Sequence, residues 1–133
     1  KAIIQGFTHG TEGFADMKRD LLQELRDTGR IELIDRRKIQ VSSDHKALNY
    51  AIQGDAAILM KRWAMESAKR LEDTSYRLLA VVHDELQAEC LPMDVQAARS
   101  VLEASATDVG QELGFRVPVA AKSTHGFDWS QTH

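Results

Sequence analysis

The sequence holds one cysteine, Cys90, so neither an intrachain disulfide nor a cysteine cluster for zinc can form within it. A single thiol fits a reducing compartment. No run of 18 apolar residues occurs, which rules out a membrane-spanning helix and argues against a membrane partner. The first residues carry no signal-peptide pattern. Positive charge is also short: 17 basic residues stand against 20 acidic ones, a formal net charge of −3. No global field therefore advertises nucleic acid, and any DNA contact must come from a local patch or from other segments. Internal repeats and low-complexity tracts are absent.

What remains is ordinary globular composition, 43% hydrophobic and 28% charged over 133 residues. That length suits one domain or a piece of one, and it can bury roughly two thirds of its unfolded surface. The start at Lys1 rather than Met suggests a fragment or a trimmed chain. Residues 1–13 hold Gly6, Gly10 and Gly13 and are expected to form a linker or a fragment start.

From Phe14 to Asp27 the apolar positions Phe14, Met17, Leu21, Leu22 and Leu25 have helical spacing, with Gly29 as a stop. Residues 30–41 alternate at Ile31, Leu33, Ile39 and Val41, which predicts a hairpin turning near Asp35–Arg37. Ser42, Ser43 and Asp44 offer caps to a long helix over 45–72 that no proline interrupts. Its expected core stripe is Leu48, Ile52, Ala56, Leu59 and Trp63.

Tyr76 to Val82 is short and nearly continuous in apolar residues, the pattern of a buried strand. After His83-Asp84, Glu85 to Cys90 alternates strictly, so the two runs form a hairpin with a two-residue turn. Pro92 and Asp94 open another long helix, with Asp94 as its cap and Gly114 as its stop. Phe115 to Ala120 is expected as a last strand. The fold class is therefore α+β: a small antiparallel sheet, the 76–90 hairpin plus the C-terminal strand, packed against two long helices.

The hairpin tip is the chemically odd place. Asn-Gly would suit a type I′ turn far better than His83-Asp84. A carboxylate held at a rigid point beside other polar groups suits a divalent cation, because Mg²⁺ takes one or two protein carboxylates and completes its shell with phosphates. An ordinary polar turn has the same composition, and so has a metal-dependent phosphohydrolase. The latter needs further His and Asp ligands, and His9, His45, His125 and His133 lack helical ligand spacing.

The segment Leu79-Ala-Val-Val-His-Asp-Glu-Leu-Gln-Ala-Glu89 resembles the third palm motif of A-family DNA polymerases; on the long helix, where bacterial members have arginine, this chain has His45, and phage replicative members look similar to that variant. The resemblance implies that Asp84 is a ligand for two catalytic Mg²⁺ ions, that Glu85 supports it, and that His83 lies near the primer terminus. His45, Asn49, Gln53 and Gly54 are similar to the family's long palm helix. Their spacing of four puts three side chains near one face, drifting about 40° per step over roughly 12 Å. The resemblance implies that His45, Asn49 and Gln53 face the primer-template minor groove, where amide and imidazole groups suit the degenerate acceptors. The strand–turn–strand around Asp35, Arg36 and Arg37 looks like the family's Asp-Gly-Arg hairpin. Arg36 replaces the glycine, so a type I′ turn would be strained and a different turn is expected. With Lys38 the two arginines form the clearest basic patch, a phosphate contact whose alternative is an ordinary charged tip. Phe127-Asp-Trp-Ser-Gln-Thr-His133 resembles the family's C-terminal ending, which implies that Trp129 packs under the hairpin.

Two family parts find no counterpart. Asp20-Leu-Leu-Gln-Glu-Leu-Arg26 mimics the motif of the second catalytic carboxylate, but it is one residue short and lies in a helical stretch. The nucleotide-binding fingers helix has no match. Residues 14–133 are thus expected as the C-terminal part of a polymerase palm, incomplete for catalysis alone. Its implied partners are primer-template DNA, dNTP and the remaining fingers, thumb and palm segments, in the host cytoplasm if the gene is a phage's. The unpaired sheet edge also invites self-association. The alternative is a non-catalytic DNA-binding or assembly module of a split polymerase.

Overall fold

The structure is a computed structural model that describes residues 11–132. The chain divides into two compact units, one up to Asp55 and one from Ala56. The elements are α1 (Phe14–Thr28), β1 (Arg30–Glu32), β2 (Lys38–Gln40), α2 (Asp44–Arg70), β3 (Arg77–Val82), β4 (Glu85–Glu89), a 3₁₀ turn (Pro92–Asp94), α3 (Val95–Glu112) and a 3₁₀ turn (Trp129–Gln131). The α+β class is as expected. The linker expected over 1–13 lies outside the described residues except for its last three.

In the first unit α1 ends in a left-handed cap: Gly29 has φ 70° and its N–H returns to the Leu25 carbonyl at 2.7 Å. That reversal feeds β1 directly against the helix. β1 and β2 pair antiparallel, with Ile31 opposite Ile39. Leu25, Ile31, Val41 and Ala47 are buried together, with Leu21, Leu22, Ile39 and Ala51 packed around them. Only the second half of α1 reaches this core, and Met17 stays exposed. Arg26 donates to Asp44 Oδ2 from Nη2 at 2.7 Å and ties α1 to the first turn of α2.

Of the stripe expected on α2, Leu48, Leu59 and Trp63 are half-buried, and the other two positions are corrected. Ile52 is 57% exposed and Ala56 is exposed, while Ala47, Ile58, Ala64 and Ser67 are buried. Alanine and serine fill close helix contacts beside Ile58, so size alone does not mark the inner face here. The cap expected from the serines is not made by a side chain either, since Ser43 Oγ is buried with no hydrogen-bond partner among the described residues.

In the second unit Leu71, Tyr76 and Ala98 form the buried cluster, with Cys90, Val101 and Leu102 against it. Trp63 Nε1 donates to the Leu102 carbonyl at 2.8 Å, joining α2 to α3. β3 and β4 pair antiparallel, and the register shifts between Leu78 and Ala80, so Leu79 is a bulge. β3 is not the buried strand that its composition predicts: Leu79 is 62% and Val81 47% exposed. Among the described residues β3 pairs with β4 alone, and a two-stranded ribbon leaves its apolar residues uncovered.

The last expected strand, 115–120, is also corrected: the two sheets are β1–β2 and β3–β4, and 115–120 is irregular. α3 stops in a Schellman arrangement, with Gly114 N–H to Gln111 O at 2.9 Å and Phe115 N–H to Gly110 O at 3.0 Å. The chain then runs back along α3, and helix side chains take the backbone bonds a sheet would have taken. Thr107 Oγ1 donates to the Val119 carbonyl at 2.8 Å, and the Ser123 N–H donates to Glu103 Oε1 at 2.9 Å. Pro118 has no N–H to offer a ladder. Asp94 is likewise not a side-chain cap, because its Oδ2 accepts from the Ser75 N–H at 2.9 Å and from the Ser75 hydroxyl at 2.5 Å.

Candidate catalytic hairpin and nucleic-acid face

His83 and Asp84 form the tip joining β3 to β4, as the sequence predicts. His83 has φ 53°, whereas Asp84 is not at positive φ, which excludes a type I′ turn. A non-glycine residue there costs about 1–2 kcal/mol, and such strain persists where the surroundings enforce it. Arg36, with φ 67°, is the other non-glycine residue at positive φ among the described residues. Both strained positions thus fall at the tips of the two hairpins that the sequence singles out.

Asp84 is exposed, and its carboxylate makes no hydrogen bond or ion pair among the described residues. Glu85 is half-buried and accepts from Gln87 Nε2 at 3.1 Å, two residues along the same strand. No group of three His, Cys, Asp or Glu side chains among the described residues could hold a metal. Asp84 fits Mg²⁺ as one oxygen donor, open and accessible, and the described residues bring no second acidic strand beside it. The mimic segment 20–26 lies on α1.

Arg36, Arg37, His45, Asn49 and Gln53 belong to the first unit, and His83, Asp84 and Glu85 to the second. His45, Asn49 and Gln53 are all exposed on α2, on the side away from Ala47 and Ile58. The β1–β2 turn is built from Leu33 to Arg37: Arg36 N–H donates to Leu33 O and Leu33 N–H to Arg37 O, each at 2.8 Å. That single left-handed residue at Arg36 is the departure from type I′ that the missing glycine predicts. Arg37 is occupied, since its Nη2 meets Asp35 Oδ2 at 2.9 Å, and Lys38 lies 3.6 Å from Glu32. Arg36 is the tip's one cation with no acidic partner among the described residues.

Sequence reasoning missed Asp55, whose Oδ1 accepts the Ile34 N–H at 2.8 Å and holds that turn to α2. Beside it, a Cβ on Gly54 would stand 2.8 Å from Leu33 Cδ1, so the missing side chain is the notch for Leu33. It missed the α3 face of Arg99, Glu103 and Thr107, although their spacing of four was a readable signal. Trp129, which the resemblance places under the hairpin, is 53% exposed. Among the described residues no helix is long and apolar enough to cross a membrane.

The fold gives the class first. Over 80% of the chain it matches a structure described as the POL domain of Pol1 from M. smegmatis in complex with DNA primer-template and dNTP, with a TM-score of 0.72, 22% identity and 21% of that chain covered. The fold is thus that of part of a polymerase domain. The chain belongs to DNA polymerase family A, whose sequence pattern matches residues 1–131. Similar proteins include the DNA-directed DNA polymerases of Enterobacteria phage T3, 24% identical over the whole chain and 22% of that protein, and of Escherichia phage Phieco32, 31% identical over 86% of the chain and 20% of that protein. DNA polymerase I of Aquifex aeolicus is 26% identical over 98% of the chain and 24% of its own length. The chain spans about a fifth to a quarter of the length of these relatives.

Proposed function

We propose that the chain is part of a DNA-directed DNA polymerase serving phage DNA replication, to which it contributes the His83-Asp84-Glu85 hairpin and the exposed face of α2. The carrying observation is Asp84: an open, unpaired carboxylate at a strained tip, in the sequence motif that resembles the family's metal-binding hairpin.

Asp84 and a carboxylate from another segment would hold divalent cations, Mg²⁺ by the chemistry of the donors, which when bound stabilise the attacking and leaving oxygens of nucleotidyl transfer. Asp84 supplies an oxygen that no neighbour among the described residues competes for. Glu85, steadied by Gln87, supports the tip, and His83 stands beside it where the primer end would lie. His45, Asn49 and Gln53 offer donors to minor-groove acceptors common to every base pair, which tests pair shape without reading sequence. Arg36 adds a phosphate contact, while Arg37 must first leave Asp35 to do the same. Primer-template DNA and dNTP are the partners, with the fingers, thumb and other palm strand as the completing segments.

Mixing the chain with a polypeptide carrying those segments, then assaying primer extension with Mg²⁺, tests this. Asp84→Ala should lower the rate by about 10²-fold or more, the scale of removing one transition-state electrostatic contact. Extension that survives Asp84→Ala unchanged sinks the catalytic reading.

A further inference from the structure

We propose that the loop 124–132 is a rigid aromatic platform for an unpaired base of single-stranded DNA, held in place by a clamp of Arg99, Glu103 and Ser123. The proposal extends the nucleic-acid reading above to a surface which that reading does not use.

The loop is built rather than frayed. Its base closes where Thr124 Oγ1 donates to the Thr132 carbonyl at 3.3 Å. Inside, the Phe127 N–H donates to Gln131 Oε1 at 2.9 Å and Ser130 Oγ to Asp128 Oδ1 at 2.6 Å. Gly126 lies so close to Gln131 that a Cβ would sit 2.5 Å from its Cβ. The root is fixed to α3 by one residue. Ser123 gives its N–H and its hydroxyl to Glu103 Oε1, while Arg99 donates from Nε to Ser123 Oγ and from Nη2 to the Ser123 carbonyl, both at 3.1 Å. All three polar groups of Ser123 are thereby held by two oppositely charged side chains one turn apart.

What this frame presents is Phe127, 98% exposed, and Trp129, half exposed two residues on. An order of this kind around an exposed ring lowers the conformational cost of binding something flat. Charge selects the occupant. Across 115–132 the acids number one, Asp128, and it already accepts from Ser130, whereas Arg116 and Lys122 are exposed with no acidic partner among the described residues. The segment is positive in a chain whose formal net charge is −3. Exposed aromatics that share a segment with unpaired cations suit a single strand, through stacking on the bases and attraction to the phosphates.

The test uses the whole chain and a fluorescein-labelled dT15 oligonucleotide, read by anisotropy at low salt. Phe127→Ala should weaken binding about tenfold, within the range of one lost stacked base. Ser123→Ala, which keeps both rings and both cations, should weaken it several-fold by freeing the root. Lys122→Gln should reduce the slope of log affinity against log salt by about 0.7, one phosphate on a single strand. Circular dichroism melting confirms that each variant is folded. Wild-type chain that ignores dT15, or Phe127→Ala and Trp129→Ala affinities within twofold of wild type, overturns the proposal. So does sedimentation in which Phe127→Ala dissolves a dimer, since the platform then receives a second copy. Gln53→Ala measured on duplex primer-template separates this from the function proposed above: unchanged duplex affinity refutes the α2 contact and leaves the dT15 result standing on its own.

Discussion

Ser67 and Ser105 hydrogen-bond through their hydroxyls at 2.9 Å across the seam between α2 and α3, and neither has any solvent exposure. Two protons serve three contacts there. Ser67 Oγ lies 2.7 Å from the Trp63 carbonyl and Ser105 Oγ 3.1 Å from the Leu102 carbonyl, which Trp63 Nε1 also engages. The best assignment has Ser67 donating to Trp63 and Ser105 donating to Ser67.

Either serine can fall back on its own helix when the other is removed. Ser67→Ala and Ser105→Ala should therefore each cost about 1 kcal/mol, and the double variant should cost less than their sum. Chemical denaturation of the four proteins measures this. Strict additivity would show that the shared bond contributes nothing.

Asp94 and Glu103 are expected to contribute to the acid limit of the second unit. The Ser75 hydroxyl, then the Ser75 N–H, holds the Asp94 carboxyl below its ordinary value of 3.8. The Ser123 hydroxyl, then its N–H, does the same to Glu103, whose ordinary value is 4.5. A depressed folded value means stabilisation that is complete above the unfolded value and is lost as pH falls through the folded one. Urea midpoints should stay level from neutral pH to about 5 and fall below about 4. Ser75→Ala and Ser123→Ala should lower the midpoint at neutral pH and flatten that acid decline. An equally steep decline in both variants would place the acid sensitivity elsewhere.

The sequence carried both hairpins because their signals are local. Apolar runs flank His83-Asp84, and the missing glycine at Arg36 already implied an unusual turn. Ile52 misled because an alanine-rich helix buries its small residues: Ala47 and Ser67 face inward, and no local pattern separates them from the outer alanines. Val81 misled because burial of a strand depends on neighbours that its own sequence does not name. The 115–120 run had strand composition, yet Thr107 took the Val119 carbonyl and Glu103 held Ser123 just beyond it, a competition decided over a separation of 12 to 20 residues. Asp84 was legible by motif, whereas its exposure and lack of a partner needed coordinates.

Gly110 is where α3 and that returning segment come closest. A Cβ there would stand 2.6 Å from Val119 Cγ2 and 2.9 Å from Val119 Cβ. Alanine gains about 1 kcal/mol of helix propensity over glycine, but a β-branched neighbour cannot swing aside easily. Overpacking of about 1–3 kcal/mol should win, so Gly110→Ala should lower the melting temperature. Val119→Gly in the same chain removes both crowding atoms and should recover part of the loss. A melting temperature raised by Gly110→Ala alone would mean that the segment yields freely.

The hairpin tip makes opposite predictions for stability and activity. His83 at φ 53° is strained, and glycine relaxes it, so His83→Gly should stabilise the chain by about 1 kcal/mol. His83→Ala keeps the strain and should not. If the tip's rigidity serves nucleotidyl transfer, His83→Gly should also slow primer extension in the completed polymerase by more than His83→Ala does, because it removes both the imidazole and the fixed backbone that aims Asp84. Asp84→Asn probes the other half. It keeps the size and the turn, leaves stability within about 0.5 kcal/mol as exposed substitutions do, and removes the negative charge a cation requires. Melting curves and single-turnover extension on the same preparations decide the matter: a His83→Gly chain that is both more stable and fully active would show the strain to be idle.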